Sequence, residues 1–562
     1  MTKQRLLGVM LAGLFVAGFG VTLDPAKAQN SSAALTGVVS SQEEGNMEGV
    51  LVTVRRDGAK FTVTVVSDAQ GRYSFPVDRL EPGQYSVNIR AVGYEISNPG
   101  PVTVASGQTT SLDLRLNPAA DLAYQLSNGE WLLSMSGTRE QKEMFLGCVS
   151  CHTLERIVRS RYNAQEFAQV VNRMRRYAQG STPLRPQMRQ GSGGGMGAPT
   201  GNQNEQAIRM GEYAATVNLS SSSTWQYPLR TLPRPSGKGT RVIITEYDLP
   251  RPETLPHDAI VDQDGMVWYG DFGSQYLGVL NPRTLEIKEY PIPLTKPGAA
   301  TGFLDMNFDP YGNIWLGMMM QGVMQRFDPR TGTFEHWTNP KFDQGDAART
   351  AMVTPTRLDV DGKVWVGADD EYQVDIETGE WVAIDYQKGR SPSEPNYNDR
   401  ITSYGVAVDS QNNFYGLNLG NTYVTRVDAE TMNVTPFATP TPNSGPRRGH
   451  MDPEDRLWFA EFRGNRIGMF DTRTEQFMEY EMPVEWTNPY DAIRDSAGYA
   501  WGGGMTNDYI GRVNTQTGET TMYLLPGTTN IRRVDVDNST NPPSFWVGDN
   551  LGATLLRVEP LE

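Results

Sequence analysis

Cysteine is scarce, with two in 562 residues, and histidine nearly so, with four. So few cysteines exclude a disulfide-stapled scaffold of the kind small secreted domains rely on. Basic residues are outnumbered, 50 Lys and Arg against 65 Asp and Glu, which leaves a formal charge of -15. That balance argues against a nucleic-acid partner, because phosphate binding needs clustered cations. Long apolar runs are also missing, with one exception at the start. Lys3 and Arg5 precede an apolar stretch from Leu6 to Val21, and Ala26-Lys27-Ala28 supplies a small-x-small cleavage site before Gln29. This reads as a secretory signal peptide over residues 1–28. No later stretch is apolar for the roughly 20 residues that a membrane-crossing helix needs. The mature chain is therefore expected to be soluble, without a membrane span, and periplasmic or secreted.

The two cysteines are three positions apart and are followed by a histidine: Cys148-Val149-Ser150-Cys151-His152. This spacing is that of c-type haem attachment, in which the two thiols take thioether bonds and the adjacent imidazole becomes an iron ligand. A redox CxxC is expected in a βαβ setting that is not seen here, and a structural zinc site lacks a second Cys or His pair nearby. A disulfide across two residues is strained. The cofactor expected is haem c, with His152 and a sixth ligand on the iron. Met174, Met188, Met196 and Met210 all follow the motif. Met188 comes after the turn-rich Pro183-Leu184-Arg185-Pro186 and is the preferred choice, with Met196 next. Five-coordinate or bis-His iron stays open, the other histidines being His257, His336 and His450.

Around this motif the chain divides into contrasting segments. Residues 34–118 alternate in short strands with turn punctuation, which predicts a β-sandwich. The wording Asp68-Ala69-Gln70-Gly71-Arg72-Tyr73-Ser74-Phe75, then Pro82-Gly83-Gln84-Tyr85 and Gly93-Tyr94, resembles the carboxypeptidase regulatory-like (transthyretin-like) family. The resemblance implies an accessory module that docks or spaces. Residues 121–222 turn helical, with segments at 140–147, 164–178 and 205–217 and a Gly-rich loop from Gly191 to Gly201. With CxxCH after one helix and a closing helix some fifty residues later, this segment resembles cytochrome c of class I.

Residues 241–562 repeat. Trp268, Trp315, Trp365, Tyr415, Trp458, Trp501 and Trp546 recur at intervals of roughly 43 to 50 residues, a period that suggests propeller blades. Most follow an Asp and a turn, as in Asp262-Gln263-Asp264-Gly265-Met266-Val267-Trp268. Six outer strands follow the first six anchors and none follows the seventh, whereas 244–250 supplies an extra copy before the first. That copy is expected to complete the last blade and close the ring. The fold class expected is thus mainly β: an N-terminal β-sandwich, a small α-helical cytochrome c domain and a seven-bladed β-propeller.

The blade wording, as in Trp458-Phe459-Ala460-Glu461-Phe462-Arg463-Gly464-Asn465-Arg466-Ile467-Gly468 and Leu255-Pro256-His257-Asp258-Ala259-Ile260, resembles the virginiamycin B lyase (streptogramin lyase) family. The resemblance implies elimination chemistry supported by magnesium, histidines from neighbouring blades and a base. Here the slot after the inner-strand Pro holds His257, Leu304, Thr354, Tyr404, Arg447, Tyr490 and Arg532, so the histidine pair is missing. A mouth lined by His257, Asp271, Tyr404, Arg447, Glu461, Tyr490, Arg532 and Asp549 is expected, with His257, Glu461, Arg447 and Tyr490 as candidate catalytic residues. Mixed charges of that kind suit a small polar or anionic ligand. Three functions follow: a periplasmic electron-transfer protein or oxidoreductase with a redox partner protein or small polar substrate, a carbon–oxygen lyase using magnesium, or a non-catalytic binding scaffold.

Overall fold

The structure, a computed structural model, describes residues 33–189, 201–347, 349–367 and 370–561. The expected signal peptide, Met196 and the Gly-rich stretch through residue 200 lie outside them. The molecule is mainly β. Among the described residues no helix is long and apolar enough to cross a membrane.

From residue 256 the chain forms six successive four-stranded antiparallel sheets. The innermost strand of each packs on that of the next, and 531–537 packs back on 256–261, so the series returns on itself. The recurring Asp-to-Trp spacing has a direct physical cause. Asp309 accepts the backbone N–H of Tyr311 and of Asn313 on one oxygen, which sets the hairpin. Its other oxygen accepts Trp315 Nε1 at 2.9 Å. Asp262, Asp452 and Asp495 clasp Trp268, Trp458 and Trp501 in the same way, and Asp409 holds the hydroxyl of Tyr415. Each clasp satisfies a buried indole or phenol donor that would otherwise be orphaned. Replacing Asp309 by Ala is expected to cost about 2 kcal/mol, since it strands the Trp315 donor and opens the turn; a shift in the urea midpoint at constant slope measures it.

The last sheet is different. Its strands 531–537, 544–549 and 554–560 are joined by Val242–Asp248, which pairs with 554–560 from Val242 opposite Pro560 to Asp248 opposite Thr554. The other edge of Val242–Asp248 pairs with Phe61–Val66 of the N-terminal region. One continuous eight-stranded sheet results, running through 51–56 and 83–90 to 102–104. Ile243 accordingly sits in the sandwich core with Val52, Val63 and Val65, while Ile244 faces the core of the last sheet. The alternation of a strand puts neighbours on opposite faces, and both faces here are covered. A second sheet of six strands, centred on Ala33–Ser41, closes the sandwich.

The helical segment caps one end of the ring. Ser127 and Glu130 form a capping box at the start of helix Asn128–Ser134, and Asn163 with Glu166 does the same for Ala164–Met174. Both caps follow from an Asn or Ser three residues ahead of Glu. Phe167 and Val171 are buried on one face of the latter helix, whereas Met174, on that face by spacing alone, is 39% exposed. One apolar cluster unites Trp131, Phe145, Val149, Phe167 and Tyr213 of this segment with Phe462, Trp486, Tyr490 and Met505 of the ring. The motif-bearing segment is thus packed on the ring as part of a shared core.

Candidate functional site

Four innermost strands carry a register slip just past their opening residue: between Pro256 and Asp258, Pro446 and Gly449, Pro489 and Ala492, and Ile531 and Val534. A bulge of this kind breaks the alternation of a strand and re-aims its side chains. The affected doublets are His257-Asp258, Arg447-Arg448, Tyr490-Asp491 and Arg532-Arg533. In each, the first residue belongs to the end of the ring beneath the helical segment, and the second to the axial channel.

The second members form a buried ionic network. Arg448 donates to both oxygens of Asp258, at 3.2 and 3.3 Å, and to Asp305. Arg533 donates to Asp305, to the carbonyl of Met306 at 2.9 Å and to Asn307 at 2.6 Å. Asp491 accepts from His450 Nε2 at 3.0 Å across two sheets. Burial pushes Asp258 up, but the charge of Arg448, the hydrogen bond from His257 and the charge of Arg533 outweigh it and hold the carboxylate low. Because every member but His450 is almost fully buried and the charges are paired, this network fixes the inner strands in relation to one another.

Three of the first members, His257, Arg447 and Arg532, line a cavity of about 690 Å³ between ring and helical segment, with Tyr490 buried behind them. Its walls include Gly147 and Ser150 of the cysteine motif, His257, Tyr404, Arg447 and Arg532 of the ring, and apolar surface from Phe272, Leu304, Met319 and Phe462. Burial pushes His257 down to about 4, against the pull of Asp258, so the imidazole is neutral. A neutral imidazole has one N–H, and a carboxylate only accepts. Nδ1 therefore donates to Asp258 at 2.5 Å, and Nε2 accepts from the Tyr490 hydroxyl at 3.0 Å. Tyr490 in turn lies 2.6 Å from the hydroxyl of Tyr404. Burial pushes Tyr404 up, but the charges of Arg447 and Arg532 reverse the direction and lower it. The chain from Asp258 through His257 and Tyr490 to Tyr404 gives the cavity wall one oriented line of hydrogen bonds.

At the motif, Cys148 and Cys151 are both free thiols. Burial, with the neighbouring Cys151, pushes Cys148 up to about 12. Cys151 lies near the Arg532 guanidinium. His152 Nδ1 donates to the carbonyl of Thr153 at 2.9 Å, which leaves Nε2 as its remaining nitrogen. Burial lowers its pKa, so the ring stays neutral, the form that ligates metals.

The structure brings His257, Tyr404, Arg447, Tyr490 and Arg532 together and keeps three expected members apart. Asp271 and Asp549 are buried at strand ends, where they accept backbone N–H groups of their own turns, Gly273 and Ser274 for the first and Leu551 for the second, and one from just ahead of the paired inner strand, Leu255 and Asn530 respectively. Glu461 is fully buried beside Glu479, and it is not part of the cavity wall. Met188 is 51% exposed, bridges to Tyr177, and is likewise not in the wall. Its neighbour Gln187 ties that stretch to the ring, donating to the carbonyl of Gly273 at 3.0 Å and accepting from the N–H of Thr301 at 2.8 Å. Met210 is buried in the helical core. His336 lies exposed on an outer strand. Sequence reasoning missed Asp258, Asp305, Arg448 and Arg533, because strict alternation turns only one residue of each doublet inward.

No curated protein matches the chain. Among solved structures, the virginiamycin B lyase from Staphylococcus aureus, in selenomethionine form, is 20% identical, with a TM-score of 0.46, covering 56% of this chain and 98% of its own. A catalytically inactive variant of that lyase with Quinupristin gives the same values. A streptogramin B lyase is 19% identical, with a TM-score of 0.47, covering 58% and 99%. Residues 34–117 match the family described as carboxypeptidase regulatory-like domain.

Proposed function

We propose that this is an exported c-type haem protein, an electron-transfer protein or oxidoreductase, whose haem-bearing segment, residues 121–222, roofs a ligand chamber in a seven-bladed ring, residues 241–562. The observation that carries the reading is the placement of the Cys148-to-His152 motif. Its thiols are unpaired, His152 keeps one nitrogen for a metal, and Gly147 and Ser150 belong to the wall of the 690 Å³ cavity. Pockets of about 300–1,000 Å³ take ligands of cofactor or drug size. The residues present fit the group: Cys148 and Cys151 would hold haem covalently, and His152 would be its proximal ligand. The Thr153 carbonyl orients that imidazole, as outer-sphere partners of metal-bound histidines do.

When bound, the haem supplies one-electron transfer. The ring's own residues bind and orient what enters the chamber. His257, Tyr490 and Tyr404 offer a line of hydrogen bonds, and the apolar wall excludes water. Met188 remains the proposed sixth ligand, and its half-exposed side chain would have to turn from solvent to reach the iron. The partner is a redox protein or a small polar substrate, and the N-terminal sandwich is a docking module.

Protein exported through a cytochrome c maturation system is expected to keep its haem through acid–acetone extraction, and the Cys148→Ala/Cys151→Ala variant to keep none. Complete loss of haem from the wild type on extraction would remove the reading. A magnesium-dependent opening of virginiamycin B that vanishes in His257→Ala would replace it with the lyase reading.

A further inference from the structure

Two strands place arginines side by side, and the members of each doublet meet different fates. Arg448 and Arg533 find aspartates in the channel. Arg447 and Arg532, 7% and 4% exposed, have no ion pair among the described residues. Their shared polar neighbour is the sulfur of Met505, at 3.3 and 3.7 Å. Arg447 also reaches the Tyr404 hydroxyl at 3.5 Å, and the Nε of each arginine has no partner among the described residues. A thioether is a weak acceptor and compensates little for removing a guanidinium from water. Burial lowers the pKa of Arg532. The Arg447 guanidinium carbon stands 4.0 Å from the centre of the Tyr490 ring and 4.3 Å from that of Phe462. Both side chains line the same cavity, whose walls also hold apolar surface from Phe272, Leu304 and Met319.

We infer that Arg447 and Arg532 are a carboxylate-binding pair for a ligand with an apolar, ring-sized body. Two guanidinium forks match the planar acceptor geometry of a carboxylate. The aromatic faces that hold Arg447 leave its outer edge for the ligand. Phe272, Leu304, Met319 and Phe462 supply the surface for the apolar body. The cationic end is set in a protein of net charge -15, so it is a local arrangement and not a consequence of composition. The inference deepens the proposed function by naming the chemistry of the chamber. The carboxylate has two sources, a propionate of the attached haem or a separate small molecule.

Two measurements on the full mature protein separate these sources. Calorimetry with 2-naphthoate and its neutral isostere 2-naphthamide reads the free ligand. Losing one partner of a buried charged contact weakens binding on the order of 30-fold or more. Naphthoate is therefore expected to bind at least that much tighter than naphthamide, with the preference lost in R447Q and in R532Q. Resonance Raman spectroscopy reads the other source, for which the propionate bending modes are expected to shift in the same variants while naphthoate fails to bind the wild type. Neither a charge preference nor a propionate shift would overturn the inference. If acid–acetone extraction shows that no haem is attached, calorimetry alone decides, so failure of the haem reading and failure of the arginine pair are separable. If the glutamine variants do not fold, R447K and R532K retain charge without the fork, and they are expected to weaken naphthoate while leaving naphthamide unchanged. Unaltered naphthoate binding in both lysine variants would equally overturn the inference.

Discussion

Arg448→Met should destabilise the protein by about 3–5 kcal/mol, the loss that follows when one partner of a buried ionic cluster is removed and its counter-charges stay behind. Arg448 is the residue that joins Asp258 on the first sheet to Asp305 on the second from its own place on the fifth. Without it, Asp305 retains Arg533, but Asp258 is left with its bond from His257, the backbone N–H of Met306 at 3.2 Å and a longer contact to Arg533, 3.7 Å. Urea unfolding at neutral pH measures the change. The cost belongs to the orphaned carboxylates, so adding Asp258→Asn to Arg448→Met is expected to restore part of it, a non-additivity that a double-mutant cycle isolates. A loss below about 1 kcal/mol in the single variant would show that the channel charges are solvated and do not hold the ring together.

Glu461→Gln should act in the opposite direction, and its effect should depend on pH. Burial, the nearby Glu479 charge and a hydrogen bond to Glu479 push Glu461 up from 4.5 to about 9. Glu479 is the better solvated of the two, accepting from the N–H and hydroxyl of Thr441. Between the two pKa values the folded state holds one proton more than the unfolded chain. Stability from this group is therefore fully present below pH 4.5 and is lost as pH rises through about 9. A glutamine of the same shape carries no charge to bury. The wild type is expected to lose about 3 kcal/mol relative to Glu461→Gln between about pH 5 and about pH 7.5. Thermal unfolding of both proteins across that range gives the difference directly, and parallel profiles would rule out a neutral buried acid.

How much of this was readable beforehand depended on how local each feature is. The Asp-to-Trp clasps are contained within seven residues, so Asp309 and Trp315 announce their hairpin without any tertiary information. Pairing of 242–248 with 554–560 was inferable from a missing outer strand. Its second pairing, with 61–66, was not, because nothing in an alternating strand marks which foreign edge will cover it. Asp271 and Asp549 were misplaced into the mouth for a local reason. An aspartate at a strand end, two residues ahead of a backbone N–H it can accept, is the signature of an Asx turn. Gly273 and Leu551 supply those N–H groups. The bulged doublets were the least legible. Only the pairing register shows that Arg447 and Arg448 can belong to opposite ends of one channel.

The shared eight-stranded sheet also sets an order of events in the life of the chain. Glu246 accepts from Thr554, 308 positions away, and the same strand completes the N-terminal sandwich. A chain emerging from its amino end must therefore wait for its final strand before either unit reaches its finished sheet, and contacts of such span form slowly. Until then the ring stays open at its last sheet, which carries Arg532, and the roof packs only on sheets already formed, through Phe462, Trp486, Tyr490 and Met505. The interval before 554–560 pairs is thus when the chamber beneath residues 148–152 is incomplete. Truncation of 554–560 would prolong that interval indefinitely.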